Sequence, residues 1–448
     1  MLETFDLIVI GTGAGGATAA YRCRESGWRV AVVDELPYGG TCALRGCDPK
    51  KVLVGAAELV DWQRRMSVNG VEGSLSIDWS ALMRFKRTFT EPVPANREES
   101  FTKAGITTLH GTACFTAPDS LVVNGVEFSA HHFLLAVGSQ PRSLDIPGAE
   151  ALLTSADFLD LQRLPRRIAF VGGGYISFEF AHLARRAGAE VTIIGRGRPL
   201  RLFDHDLVDH LVQHTRNLGI VVKDGREVTA VETKPDGVLV LQMDNGETVT
   251  ADIAVHGAGR VPATAGMGLD VAEIDTEPNG SIRVNEYLRS PSNRRVYAAG
   301  DAAEPPGSAA LTPVGGYESR IVAANLLGGD HLIPDYRGIP SVVFTIPPLV
   351  RVGLSEQEAR AEGLDIEVKQ SETSGWYSNL RVNETCAMFK TLVERETDQI
   401  IGAHIIGLHA EELINLFGFA IRQGLPASAM RQQLYAYPTV GSEAAYML

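Results

Sequence analysis

Residues 5–16 read Phe5-Asp6-Leu7-Ile8-Val9-Ile10-Gly11-Thr12-Gly13-Ala14-Gly15-Gly16. The apolar run suits a buried strand of a parallel sheet, and the glycine cluster after it opens an Ala-rich helix running to about Gly27. Trp28 to Asp34 supplies the next strand. The arrangement returns at 167–177 as RIAFVGGGYIS, followed by a helix ending near Gly188 and a strand at 190–195. Each copy later reaches another apolar strand that closes on a Gly-x-x-Pro turn, LLAVGSQP at 134–141 and IAVHGAGRVP at 253–262. Two related dinucleotide-binding folds are the simplest account. In such a turn the glycines let the backbone approach a pyrophosphate, whose charge meets the helix N-terminus. A carboxylate ending the following strand, here Asp34, can accept hydrogen bonds from ribose hydroxyls.

The remaining chain is divided around these two copies. Its 448 residues suffice for about three domains. Asp145-Ile146-Pro147-Gly148 reads as the exit from the first copy, and the strand at 294–301 is too short a segment to stand alone, so it returns to that copy. The expected fold class is α/β: two Rossmann-like dinucleotide-binding domains, one over 1–148 and 265–335 and one over 149–264, then an α+β domain over 336–448. In the last domain, strands are expected at 342–345, near 387–394 and at 400–406, with helices at 355–363 and 411–424.

Composition narrows the function. Hydrophobic residues at 45% and charged residues at 21% exclude disordered, collagenous and coiled-coil chains. A net charge of -13 with no basic run argues against nucleic acid or anionic membrane as a partner. The five cysteines, Cys23, Cys42, Cys47, Cys114 and Cys386, are too few and too irregular for a secreted disulfide framework. The chain also runs from its first residues straight into a strand, without a leader pattern, and has no run of about 18 apolar residues. A cytoplasmic protein is expected, with no metal site.

The segment Gly39-Gly40-Thr41-Cys42-Ala43-Leu44-Arg45-Gly46-Cys47-Asp48-Pro49-Lys50 carries the chemistry. Two cysteines five apart at the entrance to a helix, expected over about 50–62, can serve as a redox dithiol. The helix dipole and Arg45 both favour a thiolate there. In an ideal helix the two Cα atoms would lie about 8.6 Å apart, beyond the roughly 7 Å limit for a disulfide. The first turn must be distorted, and Gly46 and Pro49 are suited to that.

Together with AVGSQP, VGGGYISFE, GAGRVP, YAAGDA, LTPV and VVFTIPPLVRVGLSE, this segment resembles the signatures of the flavoprotein pyridine nucleotide-disulfide oxidoreductases, the family of glutathione reductase, dihydrolipoamide dehydrogenase and mercuric reductase. The resemblance runs essentially the whole length. It implies an FAD domain, an NAD(P)H domain and a C-terminal domain that makes a homodimer, with two-electron flow from nicotinamide through flavin to a Cys42–Cys47 disulfide. Carried over residue by residue, Cys42 is the interchange thiol and Cys47 the thiol next to the flavin. Lys50 lies near flavin N5, paired with Glu179, and Tyr175 covers the ring until nicotinamide displaces it. The same resemblance makes cofactor contacts of Gly11, Gly13, Ala14, Gly15, Gly16, Asp34, Gly40, Thr41, Ala113, Ala136, Val137, Gly138, Gly172, Gly174, Ile176, Gly259, Arg260 and Gly300. It gives Asp301 the ribityl hydroxyls, and Leu311 and Thr312 a backbone contact with the flavin edge.

Two features bear on specificity. In NAD-using relatives a carboxylate ends the second strand of the nicotinamide fold; here that strand ends Ile193-Ile194-Gly195, and Arg196, Arg198 and Arg201 follow. Guanidinium groups suit the 2′-phosphate of NADPH, and Arg196 and Arg201 resemble the pair of glutathione reductase. The C-terminus departs from the family's HPTxxE, reading Tyr437-Pro438-Thr439-Val440-Gly441-Ser442-Glu443. Tyr437 stands where the acid-base His is expected, no histidine follows His409, and a phenol of pKa about 10 is a poor base at neutral pH. Tyr437 is therefore expected to act by donating a proton. The expected acceptor is a small disulfide; a metal ion or a quinone is the alternative, as is a role like that of dihydrolipoamide dehydrogenase. Cys23, Cys114 and Cys386 read as packing residues, Arg320 as a surface charge, and Trp376-Tyr377 equally as a substrate entrance or a plain apolar contact.

Overall fold

The strand Glu3–Ile10 is central to the first of two compact units, and its side chains divide between two cores. Leu7 and Val9 pack with Ala19, Ala20 and Cys23 of the helix Ala14–Glu25. Ile8 and Ile10 point the other way, toward Phe115, Leu121 and Phe133. A strand buried on both faces is what a near-continuous apolar run encodes. The structure, a computed structural model, describes residues 3–448. This unit takes in the chain up to Lys50, Phe85–Arg142 and Arg260–Tyr336. Its sheet runs in the order Thr107–His110, Val30–Asp34, Glu3–Ile10, Val126–Leu135, Ser120–Val123 and Ala113–Ala117, with Val296–Ala298 also pairing Val126–Leu135 in parallel. The short strand at 294–301 is thus returned to the first sheet. Small residues let the helices Ala14–Glu25 and Thr312–Gly328 approach closely, close enough for Ala19 N to donate to Ser319 Oγ at 3.0 Å.

The second unit comprises Lys51–Arg84, Ser143–Gly259 and Arg337–Leu448. It repeats the parallel arrangement as Val221–Asp224, Glu190–Gly195, Arg167–Val171 and Ile253–His256. The repeat extends to single residues. Leu7 pairs Val30 at the same offset at which Arg167 pairs Glu190. Gly11 N donates to Val33 O, and Gly172 N donates to Ile194 O. Asp34 and Gly195 are therefore equivalent positions in the two copies. The unit also holds a five-stranded antiparallel sheet, Ser341–Val343, Leu349–Gly353, Ile400–Ile406, Met388–Glu394 and Ile366–Glu372, against which Leu413, Ile414 and Phe417 of the helix Ala410–Gln423 pack.

The expected division puts residues 51–84 in the first nucleotide fold and 149–264 and 336–448 in two further domains; within the second compact unit all three segments pack together. The physical tie is visible at both ends of 51–84. Leu53, Ala57, Trp79 and Met83 share a core with Phe158, Phe178 and Leu183. Asp61 accepts from the guanidinium of Arg186, which is 2% exposed, at 2.7 and 3.0 Å, and from Arg65 at 2.7 Å. Burial pushes the Asp61 carboxyl up, but the two arginines outweigh it and hold it below the usual range. Removing one partner of a buried pair costs about 3–5 kcal/mol because the other charge stays buried. Arg186→Met is expected to lower the thermal midpoint measured by calorimetry far more than exchanging an exposed pair such as Arg166–Glu190, whose loss is worth at most about 1 kcal/mol.

Candidate active site

The turn after the first strand is closed by backbone. Gly11 has φ +105°, and a Cβ there would lie 2.2 Å from Ala136 O; Gly172, its counterpart, has φ +117° and would meet Gly257 O at 2.3 Å. A Cβ at Gly40 would come within 2.6 Å of Gly13 Cα. The helices Ala14–Glu25 and Tyr175–Arg186 begin at Gly13 and Gly174 with no side-chain cap and no acid in the first turn, which leaves their N–H groups for an anion. Both turns therefore fit the pyrophosphate of a dinucleotide. Asp34 ends its strand, and its carboxylate accepts from Thr12 N at 2.9 Å, Thr12 Oγ1 at 2.6 Å and Leu36 N at 3.0 Å. Three of about four acceptor positions are filled, leaving one. Thr12 as the anchor of Asp34 was not evident in the sequence.

Cys42 sits in the short helix Gly40–Arg45 and Cys47 opens the helix Cys47–Met66; both are thiols. The distortion required by their spacing is a break at Gly46, whose Cβ would meet Thr41 O at 2.9 Å and Cys42 Cα at 3.3 Å. Pro49 does not break the chain. It lies in the first turn of the second helix, where a missing N–H costs nothing. The hydrogen bond from Cys42 pulls the Cys47 thiol down to about 6; Thr312 and the Lys50 charge act in the same direction. Cys42 is pushed up, chiefly by that same hydrogen bond and by burial. Arg45, expected to favour the thiolate, instead neighbours Asp34 and Arg260, so Lys50 is the cation that acts on Cys47.

Two further groups at the dithiol were missed. Thr312 Oγ1 lies 3.5 Å from Cys47 Sγ, so the residue expected to act through its backbone places its hydroxyl against the sulfur. Asp48 Oδ1 is 3.9 Å from Cys42 Sγ and accepts from the thiol. Its negative charge opposes thiolate formation at both sulfurs. Elsewhere in this unit Asp301 accepts from Ser139 Oγ at 2.7 Å, and Ser139 Oγ in turn accepts from Arg260 Nε at 3.0 Å. Gly300 N donates to the buried Glu318 at 2.6 Å, and Leu311 precedes the helix that Thr312 begins. Ala113, Ala136, Val137 and Gly138 lie on or just after the sheet strands of the same unit.

In the second unit, Tyr175 and Ile176 open the helix Tyr175–Arg186, Tyr175 being 50% exposed. Glu179, in the same helix, is 3% exposed and accepts from Phe344 N at 2.8 Å. A Cβ at Gly195 would lie 2.9 Å from Gly173 N, and Gly259 follows the strand Ile253–His256. Arg196 pairs Glu227 at 3.5 Å on the surface, Arg198 pairs Asp209 at 2.7 Å, and Arg201 makes no ion pair among the described residues. Tyr437 is 80% exposed, and its hydroxyl has no partner among the described residues. Ser442 is occupied with Thr439, and Glu443 is buried against Ser378 N at 3.3 Å. His409, the last histidine of the chain, lines a cleft of about 460 Å³ together with Pro438 and Thr439. Cys23, Cys114 and Cys386 lie in a helix core, in a strand and in a buried loop.

Residues 5–324 match the Pyridine nucleotide-disulphide oxidoreductase family, and residues 339–447 match the dimerisation domain of the same family. The chain belongs to the pyridine nucleotide-disulphide oxidoreductases. It is 33% identical to a glutathione reductase of Burkholderia cepacia over 441 residues, 98% of this chain and 97% of that one. It is 30% identical to a mercuric reductase of Staphylococcus aureus, over 97% of this chain and 80% of that one. Among solved structures, the HOCl-induced flavoprotein disulfide reductase RclA from Escherichia coli superposes with a TM-score of 0.87 at 26% identity, covering 98% of each chain. Pyridine nucleotide-disulphide oxidoreductases use FAD with a pyridine nucleotide, in keeping with the two cradles. No helix among the described residues is long and apolar enough to cross a membrane.

Proposed function

We propose that the chain is a homodimeric, NADPH-oxidising reductase whose Cys42–Cys47 pair reduces a small disulfide. The observation that carries this reading is the geometry of the dithiol: Cys42 and Cys47 face each other across the break at Gly46, with Thr312 Oγ1 3.5 Å from Cys47 Sγ and Asp48 Oδ1 3.9 Å from Cys42 Sγ, and Cys47 pulled down while Cys42 is pushed up. Bound FAD supplies two-electron transfer between nicotinamide and the sulfur pair. In the reduced pair one proton is shared. When it passes to Cys47, the Cys42 thiolate attacks one sulfur of the acceptor, forming a mixed disulfide and expelling a thiolate. Cys47, again deprotonated, attacks Cys42 Sγ, expels the second thiolate and closes the Cys42–Cys47 disulfide. One proton is released with the pair of products, so charge and electrons balance. The Thr312 hydroxyl steadies the Cys47 thiolate, and Lys50 contributes its positive charge.

Tyr437 is the proton donor to a leaving thiolate of the other subunit in this reading. A neutral phenol can give a proton but hardly take one at pH 7. General acid-base help is worth about 10²- to 10⁴-fold, so disulfide turnover is expected to be slow for the family. Tyr437→Phe should lower disulfide reduction several-fold and leave flavin reduction by NADPH unchanged, as read by stopped-flow absorbance. The same residue favours a second reading, direct reduction of a metal ion or quinone, for which no acid is needed. NADPH oxidation measured against a panel of disulfides, quinones and metal ions separates the two: if Tyr437→Phe leaves disulfide reduction untouched, the second reading stands.

A further inference from the structure

The loop from Arg196 to Asp204 follows the strand Glu190–Gly195 and carries the arginines read above as the 2′-phosphate contacts. It is held at four points. Leu200, a buried non-glycine residue with φ +46°, donates from its N–H to Gly173 O at 2.9 Å, which ties the loop to the nicotinamide-side turn. Arg198 is pinned by His205 O at 3.1 Å and Asp209 at 2.7 Å. The other two holds come from the five-stranded sheet. Arg351 of Leu349–Gly353 donates to Leu202 O. Lys390 of Met388–Glu394, only 4% exposed, donates to Asp204 at 2.9 Å and Asp206 at 2.7 Å, with Glu356 at 3.4 Å. Asp204 also accepts from Asp206 N at 3.1 Å, capping the helix His205–Asn217. Burial alone would drive the Lys390 ammonium down, but its hydrogen bonds to Asp206 and Asp204 outweigh it and keep the charge.

We infer that Lys390 and Arg351 are positioning residues for nucleotide choice: from the sheet of the C-terminal domain they fix the loop on which Arg196 and Arg201 stand. The inference rests on the NADPH reading. An αL conformation at a non-glycine residue is retained only where surroundings over-determine it, and here those surroundings are the Gly173 carbonyl on one side and the Arg351 and Lys390 holds on the other. Lys390 touches no nucleotide-binding group itself. Its loss would free Asp204 and let the loop relax, so that the backbone carrying Arg196 and Arg201 is no longer fixed.

The test uses the FAD-loaded dimer. Lys390→Met and, because that variant leaves a buried carboxylate without its cation, also Arg351→Met and Lys390→Met/Asp204→Asn are compared with wild type for KM and kcat with NADPH and with NADH. The expected result is a NADPH KM raised fivefold or more with a far smaller change in kcat, little change in the NADH KM, and recovery in Lys390→Arg. Hydrogen exchange over 196–204 should quicken. In an Arg196→Ala/Arg201→Ala background the Lys390→Met effect on NADPH should vanish. If folded Lys390 and Arg351 variants keep the wild-type NADPH KM while the double arginine variant loses it, the positioning role is overturned and the NADPH reading survives. If the arginine variant also changes nothing, both fall.

Discussion

Cys47→Ser should abolish reduction of a disulfide acceptor, by on the order of 10³-fold or more, since the two thiols act as one unit and removing either removes the step. The same change should remove the long-wavelength absorbance that a thiolate beside the flavin gives in the NADPH-reduced enzyme. Its pH dependence is set by the shift at Cys47. A thiol brought down to about 6 is largely a thiolate at pH 7 and largely protonated at pH 5, so the band should grow as pH rises through about 6. The hydrogen bond from Cys42 is the largest cause of that shift. Cys42→Ala should therefore move the midpoint upward toward the ordinary thiol range, while Cys42→Ser keeps a donor, should move it less and should show the band without reduction. Thr312→Val should raise it by a smaller amount, because one of the two hydrogen bonds remains. A Cys47→Ser protein that keeps the band would overturn the assignment of the two sulfurs.

Wild type should use NADPH in preference to NADH, and Arg196→Ala/Arg201→Ala should lose at least tenfold in NADPH kcat/KM and little with NADH. Charge-assisted contacts are each worth roughly 1.5–3 kcal/mol, and exposure reduces this, so tenfold, about 1.4 kcal/mol, is a conservative expectation. The two arginines should not contribute equally. Arg196 must leave Glu227, whereas Arg201 has no competing ion pair among the described residues. The repeat supplies the reason for the missing carboxylate. Gly195 is the counterpart of Asp34, and Gly173 of Thr12. In the first copy a hydroxyl anchors an acid; in the second, both side chains are gone and the two backbones close on each other within 2.9 Å of where a Cβ would stand. Equal kcat/KM for NADPH and NADH in the wild type would count against this preference.

Much of the fold was legible because apolar runs ending in glycine have one common use. The strands Glu190–Gly195 and Ile400–Ile406 fall where the pattern put them, as do the helices after Gly13 and Gly174. The grouping of Lys51–Arg84 with the second unit was not legible, because it depends on Asp61 meeting Arg186 over a long sequence separation and no local pattern encodes that. At the dithiol, spacing alone required a break near Gly46, but it could not say which cation reaches the sulfur. Lys50 does so because the second helix starts at Cys47 and brings its first turn round, while Arg45 ends the preceding helix and interacts electrostatically with Asp34 and Arg260. The hydroxyl of Thr312 and the carboxylate of Asp48 were hidden for a related reason: their roles are set by where a side chain points after the backbone has turned. That His409 lines one cleft with Pro438 and Thr439 was hidden as well, since sequence order does not tell which residues the fold brings together.

The unequal sulfurs also govern driving force. Each protonation state of the reduced pair enters its midpoint potential, and a sulfur that ionises near 6 stabilises the reduced form at neutral pH, making the oxidised pair a better electron acceptor than two ordinary thiols would allow. Below about pH 6 reduction takes up two protons with two electrons, and the potential should fall by about 59 mV per pH unit; above it one proton is taken up, and the slope should halve to about 30 mV. Across the neutral range the couple is thus about half as sensitive to acidity as it is below about pH 6. A swing of one pH unit moves it by no more than a tenfold change in the ratio of oxidised to reduced pair.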